Sequence, residues 1–167
     1  KNPSPFFVID KEDEDLEYIS KKDYEYHSKR FNAEFEDILY SRFGTIGTAK
    51  LIATSEPLLA SYSIVLVKPN KEMTYPLYLT QALNFWKVKK QAMRMTKGST
   101  NKNFHLTDIK KLKIPLPTLS EQMEIAKILA CADEKIQKER RRKERLKTLK
   151  RGLMQVLLTG KVRVVVD

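Results

Sequence analysis

The 167 residues are 41% hydrophobic and 32% charged, with a formal net charge of +11 and a pI near 9.6. That length suits one compact domain with or without an appendage, and the basic balance favours a polyanionic partner, with a nucleic acid first among the candidates. No apolar run approaches the roughly 20 residues a membrane span needs and no signal peptide is read, so a cytoplasmic protein without a membrane partner is expected.

The single cysteine, Cys131, cannot close an internal disulfide, which fits a reducing compartment. The first residue is Lys1 and not Met, as in a processed product or a piece of a longer chain. Charge is unevenly spread. Residues 1–40 hold 6 Lys/Arg against 11 Asp/Glu, residues 41–117 hold 13 against 3, and residues 118–167 hold 13 against 7. The middle segment is therefore the candidate phosphate-facing surface.

In chain order, the acidic run from Asp10 to Glu17 reads as a solvated loop or helix start. Ile38-Leu39-Tyr40 is a short strand, Gly44 and Gly47 punctuate a turn, and Ala49–Ala53 is the returning strand. Ser63–Val67 is a β-branched run of the kind a buried strand uses, stopped by Lys68-Pro69-Asn70. Residues 75–96 read as one helix, because Leu77, Leu79, Ala82, Leu83 and Trp86 recur every three to four residues or nearly so. Lys87, Lys89, Lys90 and Arg94 gather near its end, where cations complement the helix dipole. Lys97–Asn103 is a polar loop, Leu106–Lys113 a short ambiguous element, and Ile114-Pro115-Leu116-Pro117 an extended stretch.

From Thr118 the pattern changes. Thr118 and Glu121 fit a capping box, with Ser120 as the alternative cap. Leu119, Met123, Ala126, Leu129, Ala132 and Ile136 form one helical stripe that resumes at Leu146, Leu149, Leu153 and Val156, and Thr159-Gly160 marks a stop. A helix over residues 118–158 would be about 60 Å long and needs a partner helix for its stripe. The run Lys138–Lys143 reads as a solvated face in preference to a nucleic-acid patch, and Gly152 as a bend or a close helix crossing. The fold class expected is α+β, a head with a small twisted sheet over residues 1–117, a long coiled-coil-forming helix over 118–158 and a tail over 159–167.

Catalytic signatures are missing from the sequence. Five glycines give no Gly-x-Gly turn for S-adenosylmethionine, and Asn2-Pro3-Ser4-Pro5-Phe6 is only superficially like a methyltransferase base-binding loop. No P-loop, nuclease carboxylate set or nucleophile elbow is found. His27 and His105 are far apart with one cysteine available, so no metal site is expected.

Four stretches resemble a known family. Glu36–Gly47 is similar to a turn of target-recognition domains in the specificity subunits of type I restriction-modification enzymes. Lys97–Phe104 is similar to their polar loop, Ile114–Pro117 with Glu121-Gln122 and Ile125-Ala126 to the entry into their conserved helix, and Leu157–Arg163 to their usual ending. The resemblance runs from about residue 36 to the end. Glu36 stands where the family has Gly, and Phe104 where it has Leu. The resemblance implies two target-recognition domains and two antiparallel helices in a full subunit, each domain reading one half of a bipartite double-stranded DNA target. The helices set the spacer and dock methylation subunits, which bind S-adenosylmethionine and methylate adenine, while a motor subunit translocates and cleaves DNA. One recognition domain and one helix here imply a half-subunit or fragment, with no cofactor of its own, that pairs with a second copy or another half. The residues taken as DNA-binding candidates are Arg42, Lys87, Lys89, Lys90, Lys97, Ser99, Thr100, Asn101 and Lys102. The alternatives are a methyltransferase or nuclease fragment carrying a recognition domain, and a coiled-coil assembly protein with incidental charge.

Overall fold

The computed structural model describes residues 8–9, 19–96 and 103–165. Its strands are β1 (Val8–Ile9), β2 (Ile38–Ser41), β3 (Ala49–Ile52) and β4 (Ile64–Val67). Its helices are α1 (Lys21–His27), α2 (Pro76–Asn84), α3 (Trp86–Met95), α4 (Leu106–Ile109) and α5 (Leu119–Leu157). The sheet order is β1-β3-β2-β4, with β2 antiparallel to both neighbours and the two-residue β1 parallel to β3. This is the α+β class expected: a small sheet with short helices, then one helix of 39 residues.

Alternation along β2 explains why the sheet is covered on both faces. Ile38 and Tyr40 join Ala49, Leu83, Val88, Ala92 and Phe104 in one buried cluster, which is where α2 and α3 pack. Leu39 turns the other way, to Ile52 and Leu58, with Phe31, Ile64 and Leu66 against them. The β2–β3 turn needs left-handed backbone at Gly44 (φ 65°) and Gly47 (φ 82°). A Cβ on Gly47 would also stand 3.5 Å from the Tyr40 hydroxyl and 3.5 Å from Lys89 Cγ.

The single helix expected over residues 75–96 is in fact two. Phe85 is extended (φ −62°, ψ 136°) between α2 and α3. The cause lies in Asn84, whose Oδ1 accepts from Ala49 N at 3.2 Å while its Nδ2 donates to Ala49 O at 2.8 Å. An amide engaged with a strand backbone in this way ends the helix. The break shifts the phase, so Trp86, which continued the apolar rhythm in the sequence, is 60% exposed.

The capping box at the start of α5 forms with Thr118, not Ser120. Thr118 N donates to Glu121 Oε2 at 2.9 Å, and Glu121 N donates to Thr118 Oγ1 at 3.4 Å. The chain divides into two compact units, residues 1–129 and 130–167, so the first turns of α5 belong to the head. Within it, Gln122 and Ala126 are fully buried. Gln122 Oε1 accepts from Tyr75 N, and its Nε2 donates to Met73 O and Pro117 O, all at 2.9 Å. Gln81 Nε2 donates to Ala126 O at 3.3 Å. Ala126, expected on the pairing stripe, is thus taken up by the head. In the second unit the helix runs unbroken through Gly152, whose Cβ position meets nothing within 4 Å. After α5 ends, Gly160 (φ 71°) supplies the expected stop, its N–H donating to Leu157 O at 3.2 Å.

Candidate nucleic-acid interface

The basic middle segment does not act as one surface. Lys68 pairs with Glu34 (3.2 Å) and Asp37 (3.4 Å), and Lys71 with Glu36 (2.6 Å), so part of the acidic N-terminal segment is matched to it. Lys111 pairs with Asp108 at 2.8 Å. The cations of α3 differ. No Asp or Glu occurs from residue 73 to residue 107, and among the described residues no carboxylate pairs with Lys87, Lys90 or Arg94. Spaced three and four residues apart, these three share one exposed helix face, opposite the buried Val88 and Ala92. Lys87 Nζ lies 5.6 Å from the centre of the exposed Trp86 ring, and Phe85 packs edge-on against that ring.

Lys89 separates from its neighbours in sequence. It is half-buried with its stem beside Gly47, and burial lowers the pKa of its ammonium. Tyr40 is fully buried, and burial pushes its pKa up to about 12.

Arg42 also turns inward. Three stretches of chain meet at the end of β2: Arg42 N donates to Ser63 O at 2.9 Å, Phe104 N donates to Arg42 O at 3.0 Å, and Phe43 bridges to Asn103. The Arg42 guanidinium sits 4.9 Å over the Phe43 ring, and its Nη2 donates to Asn103 Oδ1 at 3.2 Å. Its Nε is buried with no partner among the described residues. Phe43 packs edge-on against Tyr62, which is 82% exposed.

Of the sequence-derived candidates, the structure places Lys87 and Lys90 together and sets Arg42 and Lys89 apart from them. Lys97, Ser99, Thr100, Asn101 and Lys102 lie outside the described residues. Sequence reasoning left Arg94, Phe43, Tyr62 and Asn103 out of the candidate set. The acid-free interval around α3 was the available signal for Arg94, whereas Asn103 is brought to Arg42 only by the fold. Among the described residues no group of His, Cys, Asp and Glu is arranged to hold a metal ion, and no helix is long and apolar enough to cross a membrane.

An α+β head with one basic helix face, followed by a long helix, has the build of a recognition module. Residues 2–148 match the type I restriction modification DNA specificity domain, and the chain belongs to that family, which is one of specificity and not of catalysis. The match begins well upstream of residue 36, where the recognisable motifs start. A Methanocaldococcus jannaschii protein described as the MjaX type I restriction enzyme specificity subunit is 33% identical over 129 residues, covering 77% of this chain and 29% of that one. The MjaVIII type I restriction enzyme specificity subunit of the same organism is 36% identical over 76 residues, 46% of this chain and 18% of its own. The crystal structure of an HsdS subunit from Thermoanaerobacter tengcongensis shares the fold with a TM-score of 0.57 at 19% identity, over 74% of this chain and 33% of that one. The chain thus spans about a third or less of the length of these relatives.

Proposed function

We propose that this chain reads one half of a bipartite DNA target within a type I restriction-modification complex. The head engages double-stranded DNA, with the α3 face tracking phosphates. The helix pairs antiparallel with a second copy or another half-subunit and docks the methylation subunits. S-adenosylmethionine binds on those subunits and a motor subunit does the cutting, so this chain contributes geometry and no chemical step. The compartment implied is the cytoplasm, where the DNA lies.

The observation that carries the reading is the apolar stripe of the second unit. Ile136, Leu146, Leu149 and Leu153 are all exposed along α5. A single helix cannot bury its own stripe, so these side chains fit a helix of another polypeptide. In sedimentation the chain is expected to be a dimer at micromolar concentration. Co-purified with its methylation subunit, that dimer should methylate two inverted copies of one half-site at a fixed spacing. A stable monomer together with methylation lacking such symmetry would overturn the reading.

A further inference from the structure

The cluster at the end of β2 holds an amide whose orientation is fixed by its neighbour. A guanidinium has donors and no acceptor, so the atom of Asn103 that faces Arg42 Nη2 at 3.2 Å must be Oδ1. Nδ2 is then the end left over, and among the described residues it has no partner. Arg42 is itself held on both sides. Its backbone is paired to Ser63 and Phe104, and its guanidinium lies over Phe43. Asn103 is half-buried and its backbone bridges to Phe43, the inner member of the Phe43–Tyr62 aromatic pair, whose outer member is almost fully exposed. Both the edges of DNA bases and the phosphate oxygens are rich in acceptors for such a donor, and a fixed amide is a more directional donor than a mobile lysine.

We propose that Arg42 is a positioning residue and that the Asn103 Nδ2 it orients donates to an acceptor atom of double-stranded DNA. This rests on the reading of the chain as a DNA-recognition half-subunit. It assigns Arg42 a different task from the lysines of α3. Arg42 acts through Asn103, whereas Lys87, Lys90 and Arg94 act on phosphates by charge.

The test uses the whole chain with its methylation subunit and two probes, a duplex pool randomised over the target length and one fixed duplex titrated with salt. The variants are Asn103→Ala, Asn103→Asp, Arg42→Gln and Arg42→Lys, with thermal melting to establish that each is folded. Asn103→Asp is the decisive one, because it keeps an acceptor for Arg42 while deleting the outward donor. Asn103→Ala and Asn103→Asp are expected to weaken binding by about tenfold or more, the aspartate more strongly. If the acceptor is a base, the selected sequences lose their preference at one position and the salt dependence stays as in the wild type. If it is a phosphate oxygen, all sequences weaken equally, and Asn103→Ala, which removes no charge, leaves the slope of log K against log salt as in the wild type. Arg42→Gln should reproduce the Asn103→Ala pattern, and Arg42→Lys, which can still donate to Oδ1, should recover part of it. Wild-type affinity and preference in folded Asn103→Asp would overturn the assignment. So would a shallower salt slope in Arg42→Gln with Asn103→Ala silent, which would make Arg42 itself the phosphate ligand. A wild-type chain that shows neither sequence preference nor salt-dependent binding would remove the underlying reading, and this assignment with it.

Discussion

Glu36 adopts φ 68°, the left-handed region where a side chain meets its own backbone. The family resemblance has Gly at this place, and the backbone gives the reason. Here the position is held by Glu36 N donating to Ile52 O at 2.9 Å and by the ion pair to Lys71. Left-handed geometry costs a non-glycine residue about 1–2 kcal/mol, whereas a mostly exposed ion pair returns about 0–1 kcal/mol. Glu36→Gly is therefore expected to stabilise the fold by about 0.5–1 kcal/mol, raising Tm by about 1–4 °C. A fall in Tm would mean that the Lys71 pair outweighs the backbone term.

Tyr40 gives a second test at this scale, in alkali. Its folded pKa near 12 lies above the ordinary 10.0 because burial disfavours the phenolate. Above pH 10 the unfolded chain gives up this proton first, so the unfolded state is favoured progressively up to pH 12. The stability involved is complete below pH 10 and amounts to about 2–3 kcal/mol. Tyr40→Phe should lack this loss. Lysines titrate in the same range, so the measure is the difference between the two chains in denaturant midpoint from pH 9 to pH 12. Parallel curves would contradict the shift.

Among elements, the start of α5 depends on one side chain. Gln122 joins the backbone before α2, the proline stretch and the first turn of the long helix, with all its bonds made to main-chain groups of the head. Gln122→Leu keeps the volume but leaves one N–H and two carbonyls buried without it, at about 1–3 kcal/mol for each unsatisfied group. A loss of about 3–5 kcal/mol in urea unfolding is expected. Gln155→Leu, on the exposed part of the same helix, should change stability by less than about 0.5 kcal/mol. Equal effects would deny Gln122 its anchoring role. The sequence shows why such features divide into readable and unreadable. The strands at 38–41, 49–52 and 64–67 could be read because β-branched runs and turn glycines are local signals, as was the Thr118–Glu121 cap. The break at Phe85 could not, since it depends on Ala49, 35 residues from Asn84. Gln122 was visible as part of a motif, but its burial depends on carbonyls from Met73 and Pro117. The lysines of α3 were visible as a cluster. Only the fold separates Lys89 from Lys87 and Lys90, and only the fold joins Asn103 to Arg42.

For the whole molecule, a net charge of +11 is a poor guide to which cations meet DNA. Lys68, Lys71 and Lys111 are engaged by carboxylates of the head. On α5, Lys147 pairs with Glu144 at 2.7 Å, Lys127 and Lys135 stand close to acids in sequence, and Arg141 and Arg142 lie in an exposed basic run bounded by Glu139 and Glu144. The α3 face has no such neighbours in 35 residues of sequence, and its three cations stand within two helical turns of one another. Each phosphate contact that is lost removes about 0.9 from the slope of log K against log salt. Replacing Lys87, Lys90 and Arg94 together by Ala should therefore make that slope shallower by about 2–3 between 50 and 200 mM salt, with little change in which sequences are bound. Replacing Arg141 and Arg142 together by Ala removes two charges from the other unit and should leave the slope as it was. If the two sets of substitutions flatten the slope in proportion to the charge removed, binding follows net charge and the α3 face has no special part in it. If only the first set does, the phosphate-facing surface of the head is the one that α3 presents.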